Sequence, residues 1–187
     1  FRRVLFRSRV AGEYAHMARI AAEPDRLRSD AGPLVEELLA DGRPALCFSA
    51  HLGNWEVPAV AAAQAGLPSA AVYRMPNNRA VAEEILRIRG PLMGRLIRTR
   101  PQAAHEMVAA LEQGLHLGML VDQHFSRGVD CEFFGRPVKA NPAVARLARR
   151  FDCPVVGARV LRREGGFDVL AEGPFDLPRD AEGLVDV

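Results

Sequence analysis

A short apolar run, PALCFSA at residues 44–50, breaks into a glycine-bearing turn and passes directly into an alanine-rich stretch that stops at Gly66. The run is short, lacks polar alternation and is flanked by turn residues, which predicts a buried strand that helices must cover on both faces. The same order recurs. Strands are predicted at 69–73, 95–97 and 118–122, with helices over 78–89 and 101–113 between them. Upstream, helices are predicted over 10–22 and 33–41, the second with Pro33 suited to its first position and Gly42 just past its end. In the turn after PALCFSA, Asn54 is placed to cap the next helix, with Glu56 in its first turn.

Beyond residue 122 the pattern changes. A further strand is expected at 129–134 and a helix at 141–151, and strands at 154–161 and 167–172 are expected to pair across REGG. Alternating strands and helices followed by a hairpin define an α/β domain whose mixed, largely parallel sheet is flanked by helices. A chain of 187 residues, 49% hydrophobic, can bury one sizeable core, so one domain over 9–187 is expected. The opening FRRVLFRS reads as a translated sequencing adapter and the chain as a fragment, so residues 1–8 carry no weight in the fold. No run approaches the roughly eighteen apolar residues of a membrane span, and the piece reads as soluble.

Three cysteines, Cys47, Cys131 and Cys153, lack the spacing of a metal or redox motif and are expected to be buried free thiols, which fits a reducing compartment. Lys139 is the one lysine among 25 basic residues. An arginine-rich composition fits anion recognition but also codon bias, so position matters more than number. Residues 74–100 hold Arg74, Arg79, Arg87, Arg89, Arg95, Arg98 and Arg100 against Glu83 and Glu84 alone, a local excess suited to phosphate. Only Tyr73 borders that segment, too few aromatics for a nucleic-acid surface, so no nucleic acid is expected. The five histidines show no metal-ligand spacing and no glycine-rich nucleotide loop is present, so neither metal nor cofactor is expected.

Ligands of open α/β sheets bind beyond the carboxyl ends of strands, which singles out His51 to Glu56 and Asp122-Gln123-His124. An imidazole and a carboxylate five residues apart across a turn suit general-base chemistry, with the acid orienting one ring nitrogen while the other takes a proton. Taken alone, that spacing is weak.

The letters around it are more specific. SAHLGNWE resembles the H-x4-[D/E] block of the glycerolipid and lipid A acyltransferase superfamily, and HLGNWE in particular resembles the lauroyl and myristoyl transferases of lipid A biosynthesis. VYRMPNN at 72–78, Arg89 with MGRLI at 93–97, Asp122-Gln123 and FFGRPV at 133–138 resemble that family's later blocks, in order. Ala140 departs from it where threonine is common.

The resemblance, spanning roughly residues 11–187, implies a glycerolipid-acyltransferase-like fold and transfer of a fatty acyl group from an acyl carrier protein to a hydroxyl of a lipid A precursor. His51 would be the base and Glu56 the residue that fixes its tautomer. Arg89, Arg74, Asn54, Asp122 and Gln123 would bind substrate or support the site, with Arg89 meeting a phosphate or the developing oxyanion. Trp55, Phe133 and Phe134 read first as packing residues. The resemblance places the enzyme at the cytoplasmic face of the inner membrane, held there through segments outside this chain. Two rival readings stand beside it: an acyltransferase acting on glycerol phosphate or lysophospholipid, and a non-catalytic module for anionic lipid.

Overall fold

The computed structural model describes residues 9–186; the suspected adapter at 1–8 lies outside them. Seven strands form one sheet: β1 (Leu27–Ser29), β2 (Leu46–Ser49), β3 (Ser69–Tyr73), β4 (Arg95–Arg98), β5 (His116–Leu120), β8 (Val155–Arg163) and β9 (Gly166–Glu172), in the order β1-β9-β8-β2-β5-β3-β4. Within it β2, β3, β4, β5 and β8 are mutually parallel, and β9 turns back antiparallel to β8, so the sheet is mixed and largely parallel as the alternation predicted. Among the described residues it is accompanied by a helical segment at 9–14 and by α1 (Met17–Ala22), α2 (Gly32–Ala40), α3 (Val57–Gln64), α4 (Arg79–Arg89), α5 (Ala103–Glu112) and α6 (Ala143–Phe151).

The two faces of the sheet carry side chains of different size. On one, Leu46, Ile97, Leu117, Met119 and Val155 pack with Ala110 and Leu111 of α5 and Leu147 and Ala148 of α6 into a close core. On the other, the central positions are Ala45, Cys47 and Ser49, with Gly118 and Ala158 on the strands either side of β2 and Ala71 one strand further, on β3. Small side chains there do not reach the covering helices, and a cavity of about 1280 Å³ remains beneath α3 and α4. Alanines of α3, among them Ala59 and Ala62, line it from above.

Several expectations are corrected. The helix expected over 10–22 is two segments, 9–14 and α1, separated by a turn at 15–16. Asn54 does not cap α3; the cap position is Glu56, and the Asn54 side chain instead accepts the Glu56 N–H two residues on, at 3.2 Å. The cap of α4 is Asn78, which accepts from the Val81 N–H at 3.2 Å and which the sequence reading did not single out. The strand expected at 129–134 stands outside the main sheet. It is β6 (Val129–Phe133), paired antiparallel with β7 (Arg136–Ala140), an element the sequence pattern concealed. Their connection is two residues long, Phe134 at φ 52° and Gly135 at φ 70°, the mirror-image turn that matches strand twist. Phe133 and Phe134 therefore do not pack inside: they are 64% and 90% exposed. Cys131, on the same ribbon, is exposed rather than buried.

Candidate active site

Parallel pairing of β2 with β5 sets Ser49 opposite Leu120. Two residues further along each chain, past the carboxyl ends of the strands, stand His51 and Asp122. Their separation of 71 residues in sequence closes to 2.7 Å between His51 Nδ1 and Asp122 Oδ1, and the His51 backbone N–H donates to Asp122 Oδ2 at 3.0 Å. Partial burial works against the Asp122 charge, but these bonds from His51 outweigh it and hold the carboxyl below its ordinary range. With Nδ1–H donated to Asp122, Nε2 keeps its lone pair, and the Gln123 amide nitrogen lies 3.3 Å from it. The Trp55 ring lies against the imidazole, with centroids 5.0 Å apart.

The turn that presents His51 depends on Gly53. Its φ is +58°, and a Cβ there would stand 2.4 Å from the Val160 carbonyl oxygen, closer than real contacts permit. The backbone of the HLGN segment is thereby seated directly on β8.

Glu56 has another partner. Arg89, at the end of α4, donates to it through Nε at 2.8 Å and Nη2 at 2.6 Å, and Tyr14 donates its hydroxyl at 3.2 Å. The side chains of Glu56 and Arg89 are 4% and 12% exposed, so this is a buried, bidentate ion pair. Burial disfavours the guanidinium charge, but Glu56 outweighs it and keeps Arg89 charged. Burial, reinforced by the Glu56 carboxylate, likewise raises the Tyr14 phenol and keeps it protonated. The guanidinium lies 5.2 Å from the Tyr73 ring centroid and 5.8 Å from that of Tyr14. Its third nitrogen, Nη1, is buried with no hydrogen-bond partner among the described residues.

The carboxylate on the imidazole is thus Asp122, and Glu56 anchors Arg89, a division that the five-residue spacing of His51 and Glu56 did not reveal. Asn54 also differs from expectation. It is fully buried, donating to Glu13 Oε2 at 3.0 Å and approaching Met17 Sδ at 3.7 Å, so it ties the turn to the N-terminal helices rather than facing a ligand. Glu13 in turn accepts two bonds from Arg162 of β8, at 2.8 and 2.9 Å. Arg74 is exposed on the cavity rim and forms no ion pair among the described residues. Elsewhere in the arginine-rich segment, Arg79, Arg87 and Arg100 are paired with Glu83, Glu84 and Glu106. Arg98, opposite Tyr73 in the β3–β4 register, is exposed beside Arg74 at the strands' carboxyl ends.

Other groups are structural. His116 is buried and accepts the Ala45 N–H through Nδ1 at 3.2 Å, with burial lowering its basicity. Burial pushes the Cys47 thiol on the cavity wall up to about 11, which keeps it a poor nucleophile. His51, Gln123, Glu56 and Arg89 all border the same apolar cavity. An imidazole paired with a carboxylate thus stands at the edge of a large, mostly apolar cavity, a lining suited to an aliphatic ligand.

Comparison with known families makes this specific. Residues 29–183 match the bacterial lipid A biosynthesis acyltransferase family, and the chain belongs to it. It is therefore an acyltransferase. Among curated individual proteins no match is found.

Proposed function

We propose that this chain carries the catalytic site for moving a fatty acyl group from an acyl carrier protein thioester to a hydroxyl of a lipid A precursor, at the cytoplasmic face of the inner membrane. The observation that carries the mechanism is the 2.7 Å contact of His51 with Asp122 at the mouth of the cavity. His51 Nε2 takes the proton of the acceptor hydroxyl, and Asp122 stabilises the imidazolium as it forms. The hydroxyl oxygen attacks the thioester carbonyl, and the charge on the tetrahedral oxyanion that results is stabilised by the Arg89 guanidinium in the cavity wall. Collapse breaks the carbon–sulfur bond, and the proton held on His51 passes to the leaving thiolate. Neither cysteine nor serine of the chain is needed as a nucleophile.

Glu56 contributes by holding the Arg89 guanidinium bidentately in that wall. The acyl chain occupies the cavity under α3 and α4. The exposed Arg74 and Arg98 suit a phosphate of the glucosamine disaccharide.

The test is mass spectrometry of a lipid A precursor incubated with acyl carrier protein thioesters and the enzyme. One added acyl mass, lost in His51→Ala and Asp122→Asn, is the expected result. Transfer that proceeds at full rate without His51 would remove the base from this assignment, and acylation of lysophospholipid in place of the precursor would change the acceptor.

A further inference from the structure

The β6–β7 ribbon lies outside the machinery described above, and its two faces differ in chemistry. Antiparallel register places Val129, Cys131 and Phe133 on the same face as Ala140, Val138 and Arg136, while Asp130, Glu132, Pro137 and Lys139 occupy the other. On the second face Lys139 and Asp130 form an ion pair at 2.8 Å. The first face is apolar apart from Arg136, and every residue of β6 is exposed. At the tip, Phe133 and Phe134 meet edge to face at 4.6 Å between centroids, directed into solvent. A two-stranded ribbon is marginal in water by itself, and an uncovered apolar face adds to that cost, so this face is built for a partner.

The roots of the ribbon locate it. Gln123, beside His51, precedes its first strand, and Asn141 follows its second; both border the cavity. The base is closed by the Phe125 N–H donating to the Lys139 carbonyl at 3.1 Å. The ribbon therefore rises from the rim of a site whose acceptor belongs to the lipid A class, an amphiphile held in a bilayer.

The geometry points to the β6–β7 hairpin as a bilayer contact, its Phe133–Phe134 tip entering the headgroup and acyl boundary of an anionic membrane and its apolar face lying against lipid. Three features favour lipid over a protein partner. A two-residue tip offers a wedge rather than the roughly 800 Å² that a stable protein interface needs on each side. Aromatic rings are suited to the depth of the membrane interface. Charge is also complementary: Arg127 and Arg136 are exposed without ion pairs among the described residues, while the acidic Asp130 and Glu132 lie on the face turned away. The consequence is positional, because a hairpin seated in lipid holds the cavity mouth at the surface where the acceptor's acyl chains emerge.

Cys131 supplies the probe, being exposed on the apolar face while Cys153 is buried and Cys47 is half-buried in the cavity wall. The protein is labelled at Cys131 with an environment-sensitive fluorophore and mixed with vesicles of phosphatidylethanolamine and phosphatidylglycerol. The expected result is a blue-shifted, brighter emission, quenched by brominated acyl chains, and vesicle affinity about tenfold or more weaker in the Phe133→Ser, Phe134→Ser double variant. Circular dichroism of that variant checks that the fold is intact. Vesicle binding with a silent Cys131 label, undiminished affinity in the double variant, or a label that answers to acyl carrier protein and not to vesicles would each overturn the proposal. Since binding is read without turnover, the result is independent of the catalytic assignment.

Discussion

His51 and Asp122 stand two residues beyond a matched pair on adjacent parallel strands, and the imidazole Nδ1 meets the carboxylate at 2.7 Å. Replacing Asp122 by Asn keeps the shape but removes the charge that stabilises the imidazolium. We expect kcat of Asp122→Asn to fall by about 10²-fold or more with KM nearly unchanged. Its melting temperature at neutral pH should fall only slightly, by the modest amount that a partly exposed carboxylate gains from His51 on folding. Steady-state kinetics with a melting curve on the same preparation separates this from damage to the fold.

Glu56 should behave differently. Glu56→Gln leaves the Arg89 guanidinium buried without its counter-charge, so a stability loss on the order of 3–5 kcal/mol is expected along with loss of activity. The double variant Glu56→Gln, Arg89→Met removes both charges and should recover part of that stability but none of the activity. Chemical denaturation of the two variants checks the first statement and product mass spectrometry the second. A Glu56→Gln protein as stable as its parent would show the pair to be dispensable for the fold.

What was legible in the sequence follows the range of the forces involved. The alternation of buried runs and amphipathic helices is local, and it identified β2, β3, β5, β8, β9 and the helices between them. By contrast β1 is three residues long, too short to signal itself, and pairs with β9 only through tertiary packing. The FFG segment carried the glycine of a hairpin turn, yet the apolar letters beside it suggested burial because exposure is decided by whether anything lies opposite. The same holds at the site. His51 and Asp122 were each singled out by position after a strand, but joining them requires knowing that β5 inserts between β2 and β3. Proximity in sequence favoured Glu56, while the sheet register selects Asp122.

Gly53 is a position where one methyl group should be costly. Its left-handed φ and the Val160 carbonyl oxygen both oppose a Cβ, so Gly53→Ala must displace the turn that carries His51. We expect a loss of stability of about 1–3 kcal/mol and a fall in kcat larger than that seen when Gly66, which also has positive φ but open space around it, is replaced by Ala. Paired denaturation and rate measurements on the two variants provide the comparison.

Acid should act on the His51–Asp122 pair in a definite direction. The folded protein holds the Asp122 carboxyl below its unfolded value. The folded state thus binds that proton more weakly, and the contribution to stability is complete above the unfolded pKa of about 3.9 and lost as pH falls through the folded value. The melting temperature of the parent should therefore drop more steeply below about pH 4 than that of Asp122→Asn. Parallel slopes in melting curves taken between pH 6 and pH 3 would mean the carboxylate gains nothing from His51 on folding.

The cavity exists because Ala45, Cys47 and Ala158 on neighbouring strands are small where the opposite face carries leucine, valine and methionine. Enlarging one of these residues should shorten the space for hydrocarbon while leaving His51 and Asp122 in place. For Ala158→Leu we expect preference to move toward shorter acyl donors, with discrimination of about 10- to 200-fold per methylene excluded, the range that an apolar pocket can impose. Stability should change little, because the added atoms fill a void and meet no packed neighbour. Competition between acyl carrier protein thioesters of different length, read as the ratio of product masses, measures the shift. An unchanged ratio with full activity would place the acyl chain elsewhere than against β8, and would direct attention to the part of the cavity under α4, where Ile85 and Ile88 form the wall.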